Sequence, residues 1–379
     1  MEPQAIDVCV VGGGLAGLAT AMAFARAGAS VVLLERRTEA GDPHRGDVLR
    51  PAAVALLKKW GVTFEKRNPF EITSVEIEFG LHRVASRPIK GEPALCMPHT
   101  QLEAALREAA KAAGVDVRLG WQLQVVMHAN GRVSGVTAIS GIDAAAFTTK
   151  LVVGADGRSS TVRESLGLSY KAVEKTNEML ALEADLAMGV SPPRTDRLVC
   201  SIGPEGGGFG TPVAQRRMRV VTWTNIGEAD ALVRKTVAQL AQEVPARSPL
   251  PLGATIDPTR LRSYELTGSG HAQNYAAPGA VCVGDAVHAP PNPSTEGMQM
   301  ALFDAEALVR YVGPALRESE RAVDKALIRF ETERWPDNQR RIERARAAMK
   351  WLMPLKGFRR FLARTPLARF FLGGLLATD

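Results

Sequence analysis

Cysteine is scarce in this chain: four in 379 residues, at Cys9, Cys96, Cys200 and Cys282. They lie far apart, form no Cys-x-x-Cys pair and lack the Cys/His spacing of zinc sites, so no disulfide scaffold and no metal ion is expected. Cys9 and Cys282 fall inside apolar runs that read as buried strands, where a thiol behaves as a small hydrophobe. A reducing, cytoplasmic setting is the expectation. Repeats and low-complexity tracts are also lacking. The 46% hydrophobic and 23% charged residues sit near globular averages, which excludes a disordered chain. A chain of 379 residues outgrows a single core, so two closely packed domains are expected.

One uncharged stretch, Val8 to Ala25, has the length of a membrane span. Gly12-Gly13-Gly14 interrupts it, and acidic Glu2 and Asp7 precede it where a signal peptide carries basic residues. It reads as a buried strand followed by a buried helix. The net charge of +7 comes from 47 Lys/Arg against 40 Asp/Glu. Eight of those basic residues and one acid lie from Arg344 onward, so the first 343 positions balance at 39 of each. A neutral body lacks the basic surface that nucleic acid demands, and no nucleic-acid partner is expected. A Ser/His/Asp constellation is missing too, which argues against hydrolysis.

What is present begins with a βαβ unit. Ile6–Val11 is a continuous apolar strand of the doubly covered, parallel kind. Leu15–Ala27 is an Ala-rich helix ending near Gly28, and Val31–Leu34 is a second buried strand. Gly12, Gly14 and Gly17 have the spacing of a dinucleotide-phosphate loop. The first allows the tight turn, the second lets a pyrophosphate approach the backbone, and the third lets helix and strand pack closely. Amides of Leu15 and Ala16 at the helix start then face the negative charge. Glu35, with Arg36 beside it, ends the second strand, where a carboxylate accepts from a ribose 2′-hydroxyl. An acid there suits FAD or NAD over NADP.

Further along, Pro51–Trp60 and Thr100–Ala113 read as helices and Ser74–Phe79 as a half-buried strand. Val115–Leu119, Gln122–His128 and Arg132–Ile139 read as a strand and a hairpin turned by Asn130-Gly131. Leu151–Val153 leads into Gly154-Ala155-Asp156-Gly157. Between Glu178 and Tyr264, strands at Met179–Leu186 and Arg217–Thr224 accompany a helix over Ala229–Glu243, with no cofactor motif. Ala280–Val283 is again a buried strand and Gly297–Val312 a helix.

Three motifs in order, Gly12-x-Gly14-x-x-Gly17, Asp156-Gly157-x-x-Ser160-x-x-Arg163, and Gly284-Asp285-Ala286-x-His288 with Gly297-Met298 and Asp304-Ala305, give the chain a family likeness. Over residues 5–315 it resembles the class A, single-component FAD-dependent aromatic monooxygenases of the p-hydroxybenzoate hydroxylase-like family. The resemblance implies an α/β fold: a discontinuous, Rossmann-like FAD-binding domain of glutathione-reductase type (1–72, 97–177 and 268–343). It implies an inserted mixed-sheet substrate domain (73–96 and 178–267), and the basic, amphipathic helices of 344–379 complete the chain. It also implies hydroxylation of an electron-rich, lipophilic aromatic, quinolone- or polyketide-like molecule of secondary metabolism, using O2 and NADH or NADPH. No second nucleotide-binding unit is visible, so the nicotinamide docks transiently.

By the same resemblance Asp285 binds the flavin ribityl chain, and the amides of Gly297 and Met298 face the flavin ring. Arg45 falls where the family keeps a pyrophosphate-facing arginine. Asp47, on a loop that skirts the ring in relatives, is the catalytic candidate, placed to orient or deprotonate a substrate hydroxyl. His99 stands where relatives contact the flavin phosphate or ribityl region, and Leu123 where a backbone contact meets adenine. Asp156 belongs to a motif linked to FAD and NAD(P)H, with a strand-to-helix cap as its plainer role. His288 reads as structural. Relatives carry Pro-x-x-Gly-Gln-Gly where this chain has Asn292-Pro293-Ser294-Thr295-Glu296-Gly297. Thr295 therefore replaces a glycine on the loop that shapes the space before the flavin.

Two other readings share these motifs: a prenyl-chain (geranylgeranyl) reductase, which uses Asn-Pro…Glu-Gly near this loop, and a degenerate flavin-binding, membrane-associated non-enzyme. A flavin halogenase is disfavoured because Trp223 lacks a Trp-x-Trp-x-Ile-Pro context. In the tail, Phe358, Phe361 and Leu362 fall on one helical stripe, with Lys356, Arg359, Arg360 and Arg364 largely elsewhere. Such a segment suits either an anionic inner-membrane face or packing on the body. The protein is expected as a monomer or dimer.

Overall fold

Three glycines and two apolar strands set the frame. In the computed structural model, residues 2–39, 41, 46–79, 82–172, 178–186, 195–203, 206–225, 227–246, 248–250, 254–265, 269–291 and 295–352 are described. The strand Gln4–Val11 buries its last four residues, and Val31–Glu35 is buried throughout. Neither alternates, because side chains on both faces of their sheet are buried. Val8, Cys9, Val10 and Leu33 are fully buried, each such aliphatic side chain contributing about 1.5–3 kcal/mol.

This central sheet runs in the order Ala276–Ala277, Ala280–Cys282, Asp143–Gly154, Gln4–Val11, Val31–Glu35, Asp116–Leu119. Its inner pairs are parallel, with Val11 beside Gly154 and Gly154 beside Cys282. The hairpin Gln122–Ala129 and Arg132–Ser140 adds antiparallel strands to Asp143–Gly154. The helices are α1 (Leu15–Arg26), α2 (Pro51–Lys59), α3 (His99–Ala112), α4 (Thr161–Ser165), α5 (Glu228–Val233), α6 (Val237–Glu243), α7 (Glu296–Ala315) and α8 (Glu320–Leu352). α1 packs between the sheet, α3 and α7.

A second, mixed sheet runs Ala254–Ile256, Glu178–Leu186, Arg217–Thr224, Gly206–Ala214, Arg197–Gly203, Ser74–Phe79, His82–Pro88. One face carries Leu180, Leu182, Met218 and Val220, which pack with Leu232 of α5 and Leu240 of α6. A small sheet of Gly46–Leu49, Ala94–Pro98 and Phe70–Ile72 stands against the other face, where Leu198 packs with Val48 and Cys96.

The uncharged Val8–Ala25 stretch is the expected strand and helix. Among the described residues no helix is long and apolar enough to cross a membrane. Two element expectations change. The single helix over Ala229–Glu243 is two, because Thr236 and Gln239 form a reciprocal capping box that starts α6 afresh. The strand expected at Leu151–Val153 begins at Asp143; its first half is paired to Arg132–Ser140, a tertiary support its Ala/Thr-rich sequence does not advertise. The basic segment after Leu352 lies outside the described residues.

Candidate cofactor and substrate site

The phosphate loop shows why its glycines are there. Gly12 has φ +108°, and a Cβ on it would stand 2.2 Å from the Ala155 carbonyl oxygen. A Cβ on Gly17 would stand 1.9 Å from the Gly12 carbonyl oxygen, so helix and strand meet at a distance only glycine permits. Gly14, the N-terminal cap of α1, has nothing within 4 Å of such an atom. Ahead of Leu15, Ala16 and Gly17, α1 has no side-chain cap and no acid in its first turn. Uncapped amides facing open space at the positive end of a helix fit a diphosphate.

Glu35 lies behind this loop. Its carboxylate accepts from the Gly13 amide at 2.6 Å, the Arg37 amide at 2.8 Å and Arg37 Nε at 3.1 Å. Burial pushes its pKa up, but the Arg37 guanidinium and the two amides outweigh that and hold the carboxyl below its usual range. An ionised acceptor at the strand end fits a ribose. Arg36 is exposed; Arg37 turns inward instead, bridging Glu35 to Glu103 at 3.2 Å. Glu103, 1% exposed, also accepts from the Gly41 amide at 3.0 Å and lies 3.4 Å from His99 Nε2. Burial raises its pKa, while His99, the Gly41 amide and Arg37 bring it down to about 2. His99 opens α3 and faces Glu103 one turn on, a helical i, i+4 pair. Leu123 is half-buried and packs on the main core.

The two later motifs meet beside the first turn of α1. A Cβ on Gly284 (φ +61°) would stand 2.8 Å from Ala16 Cβ, so the late turn rests on the phosphate-loop helix. Arg158 Nε donates to Asp285 at 3.2 Å. Arg163 Nη1 donates to the carbonyls of Arg158 and Ala286 at 2.9 and 2.7 Å, and its guanidinium lies 4.5 Å over the Tyr170 ring. Asp156 accepts the Val162 amide at 3.1 Å. Its other oxygen is buried without a partner among the described residues. Burial lifts its pKa above the usual range against the opposing Ser160 and Val162 hydrogen bonds.

Asp285 is half-exposed and faces the start of α7, its Oδ1 3.8 Å from a Cβ built on Gly297. Met298 is partly buried against the core. Thr295, just before α7, has φ 54° and ψ 16° and makes no cap hydrogen bond, so α7 presents a second uncapped N-terminus. A β-branched residue in this region is strained. Glu296 holds the turn through ion pairs to Arg50 and to Arg341, the latter at 3.2 Å.

Beneath this loop His288 is fully buried, and its Nε2 is hydrogen-bonded to Asp304. Asp304 also accepts from the Gly284 amide at 3.2 Å, Arg334 Nε at 3.0 Å and Asn338 Nδ2 at 3.0 Å. Burial opposes ionisation of Asp304, but His288, Arg334 and Asn338 hold its pKa far below the carboxylate range. Arg334 and Asn338 escape sequence reasoning, as do Arg37 and Glu103; only the His99/Glu103 spacing is a readable signal. Asp47 pairs with Met97 across the small sheet. Its side chain, like Arg45 and residues 292–294, lies outside the described residues. Among the described residues no cluster of His, Cys, Asp or Glu could hold a metal ion.

The chain is 28% identical to 6-methylpretetramide 4-monooxygenase of Streptomyces rimosus, across 86% of its own length and 81% of that protein's. It is 24% identical to 3-demethoxyubiquinol 3-hydroxylase of Escherichia coli, across 89% and 88%. The solved structure of Pseudomonas aeruginosa PqsL shares the fold, with a TM-score of 0.81 at 23% identity over 99% of this chain and all of that one, 100%. The FAD binding domain family model matches residues 5–345, and the chain belongs to that family.

Proposed function

We propose that the protein is a single-component FAD-dependent monooxygenase that hydroxylates an electron-rich aromatic ring with O2 and NADH or NADPH. The observation that carries this reading is the late turn Gly284-Asp285, which rests on Ala16 of α1 and faces Gly297 of α7, two helices whose N-termini carry no side-chain cap. When bound, FAD supplies the redox and oxygen chemistry. The protein supplies binding, orientation and exclusion of water. Amides of Leu15, Ala16 and Gly17 would hold the diphosphate, with Arg45 as a countercharge, and Glu35 would accept from the ribose. The Leu123 backbone would border the adenine, and Asp156 and His99 would brace the middle of the cofactor. Asp285 would accept from the ribityl hydroxyls, and the Gly297 and Met298 amides would face the electron-rich edge of the ring system. Asp47 would orient a substrate hydroxyl or take its proton.

The names of the two relatives, one acting on 6-methylpretetramide and one on 3-demethoxyubiquinol, support a lipophilic aromatic substrate. The test is oxygen uptake and NADPH oxidation by purified protein over a panel of phenols, quinolones and polycyclic aromatics. A yellow protein whose NADPH oxidation is stimulated, with a product heavier by one oxygen, is expected. Colourless protein, or flavin that neither NADH nor NADPH reduces, overturns the reading. We further propose that the basic segment from Arg344 to Asp379 contacts an anionic membrane face. Equal flotation of full-length and 1–343 protein with anionic liposomes at low salt removes that assignment.

A further inference from the structure

Residues 269–284 lead from the mixed sheet back to the Gly284-Asp285 turn, and α8 fastens this stretch along its length. Glu331 accepts the Tyr275 and Ala276 amides at 2.8 and 3.0 Å. Asp324 accepts the Gly279 amide at 2.9 Å, and Trp335 Nε1 donates to the Ala272 carbonyl at 2.9 Å. These bonds hold the backbone. A second set, made between side chains, runs from the Asp304 cluster beneath the turn to the outer side of α8.

The fully buried Asn338 sets the direction of this chain. Arg334 Nη2 donates to its Oδ1 at 2.8 Å. Its Nδ2 is therefore the donor, to Asp304 at 3.0 Å and to the Tyr275 hydroxyl at 3.2 Å. Tyr275, accepting there, gives its own proton to His271 Nε2 at 2.5 Å. His271 Nδ1–H then donates to Gln339 Oε1 at 2.6 Å, and Gln339 Nε2 donates to Glu343 at 2.5 Å. Every donor points outward, ending on an exposed carboxylate. That order holds only while His271 is neutral. A proton on Nε2 would give the Tyr275 oxygen an N–H on each side and leave its buried hydroxyl proton without an acceptor, which is costly. The surroundings of the imidazole act the same way. Burial lowers its pKa below 6.5, with His288 and Arg346 adding to the effect and Gln339 and Asp304 opposing it. His288 lies opposite His271 across one strand pair and the exposed Lys171 across the other. Trp335 stacks on the ring at 5.0 Å.

Resting on the assignment of FAD to this site, we propose that His271 and Tyr275 are positioning residues for the cofactor: neutral His271 orders the chain that holds Asp304, and through it the Gly284-Asp285 turn, in the FAD-binding arrangement. Asp304 is the joint, accepting from the Gly284 amide at 3.2 Å and from His288 as well as from Asn338. The acids that act on Tyr275 are Asp304 and Glu331, and Glu331 already accepts two amides. A hydroxyl proton displaced from His271 turns to Asp304, which shares the Asn338 amide with Tyr275. There it competes with the Asn338 and Gly284 donors and slackens the turn. With Asp285 on the ribityl chain the turn cannot yield, so FAD and the His271 proton oppose each other, each weakening the other by the same factor.

The test titrates flavin-free full-length protein with FAD at about pH 8 and about pH 5, read by flavin fluorescence, and takes the ratio of the two Kd values. Wild-type affinity should be complete above pH 6.5 and fall by about tenfold below it. His271→Gln keeps an acceptor for Tyr275 and removes the titrating group. Tyr275→Phe keeps the ring and removes the hydroxyl. In both variants that tenfold should vanish from the ratio, leaving only what His99 and Asp156 contribute. Calorimetry near pH 6 in two buffers of different ionisation heat should show protons expelled as wild type binds FAD, and fewer expelled by His271→Gln. Either variant suffices if the other fails to fold, because a loss of packing weakens binding at both pH values and leaves the ratio in place. A ratio in both variants equal to that of wild type, or a wild type equally tight at both pH values, overturns the positioning role and spares the cofactor assignment. No FAD binding by wild type at either pH sinks both.

Discussion

Replacing Thr295 with glycine should stabilise the protein although it deletes a side chain. At φ 54° and ψ 16°, an L residue suffers a Cβ–carbonyl clash worth roughly 1–2 kcal/mol. The hydroxyl makes no cap hydrogen bond to α7, so the ~1 kcal/mol of an ordinary threonine cap is not there to lose. Glycine gives back about 0.5–1 kcal/mol through the greater freedom of the unfolded chain. The net expectation is a gain of about 0.5–1 kcal/mol. Urea unfolding of the flavin-free protein followed by tryptophan fluorescence reads this as a higher midpoint at unchanged slope. Thr295→Ala serves as the control, since it keeps a Cβ in the same backbone region and should not reproduce the gain. A glycine variant no more stable than wild type, or an alanine variant equally stabilised, refutes the strain argument.

Glu35→Ala should weaken FAD by roughly 10- to 100-fold through loss of one charged hydrogen bond, measured by fluorescence titration of the flavin. Gly17→Ala puts a Cβ 1.9 Å from the Gly12 carbonyl oxygen and should cost at least about 1–3 kcal/mol of stability, seen as a lower Tm with loss of bound flavin. Burial holds the His271 pKa below 6.5 despite Gln339, so the unfolded chain binds the extra proton. Its contribution is complete above pH 6.5 and declines as pH falls toward the folded pKa; His271→Gln should flatten that slope in a pH series of Tm values. Glu103, at about 2 in the fold against 4.5, stabilises above pH 4.5 and loses that contribution as pH falls toward 2. Glu103→Gln should remove that acid limb.

The parts of the site that were legible in sequence are those where the backbone itself is the constraint. Gly12, Gly17 and Gly284 leave no room for a Cβ, so their spacing announces the loops whatever surrounds them. Partners chosen across the fold were not legible. Whether Arg36 or Arg37 turns inward is decided by Glu103, 66 residues away. The Asp304 cluster draws on Arg334 and Asn338 from α8, a helix whose sequence reads as polar surface. The break between α5 and α6 was written locally as Thr236-x-x-Gln239, yet the apolar periodicity runs through it. Thr295 was visible as a departure from its relatives, but its cost appears only with its φ.

One FAD spanning both ends of the chain is measured most directly by calorimetric titration of flavin-free protein with FAD. The prediction is one FAD per chain, with affinity lowered by Gly14→Val at the first motif and by Asp285→Ala at the second. Absence of binding, or binding that either substitution leaves untouched, would contradict it.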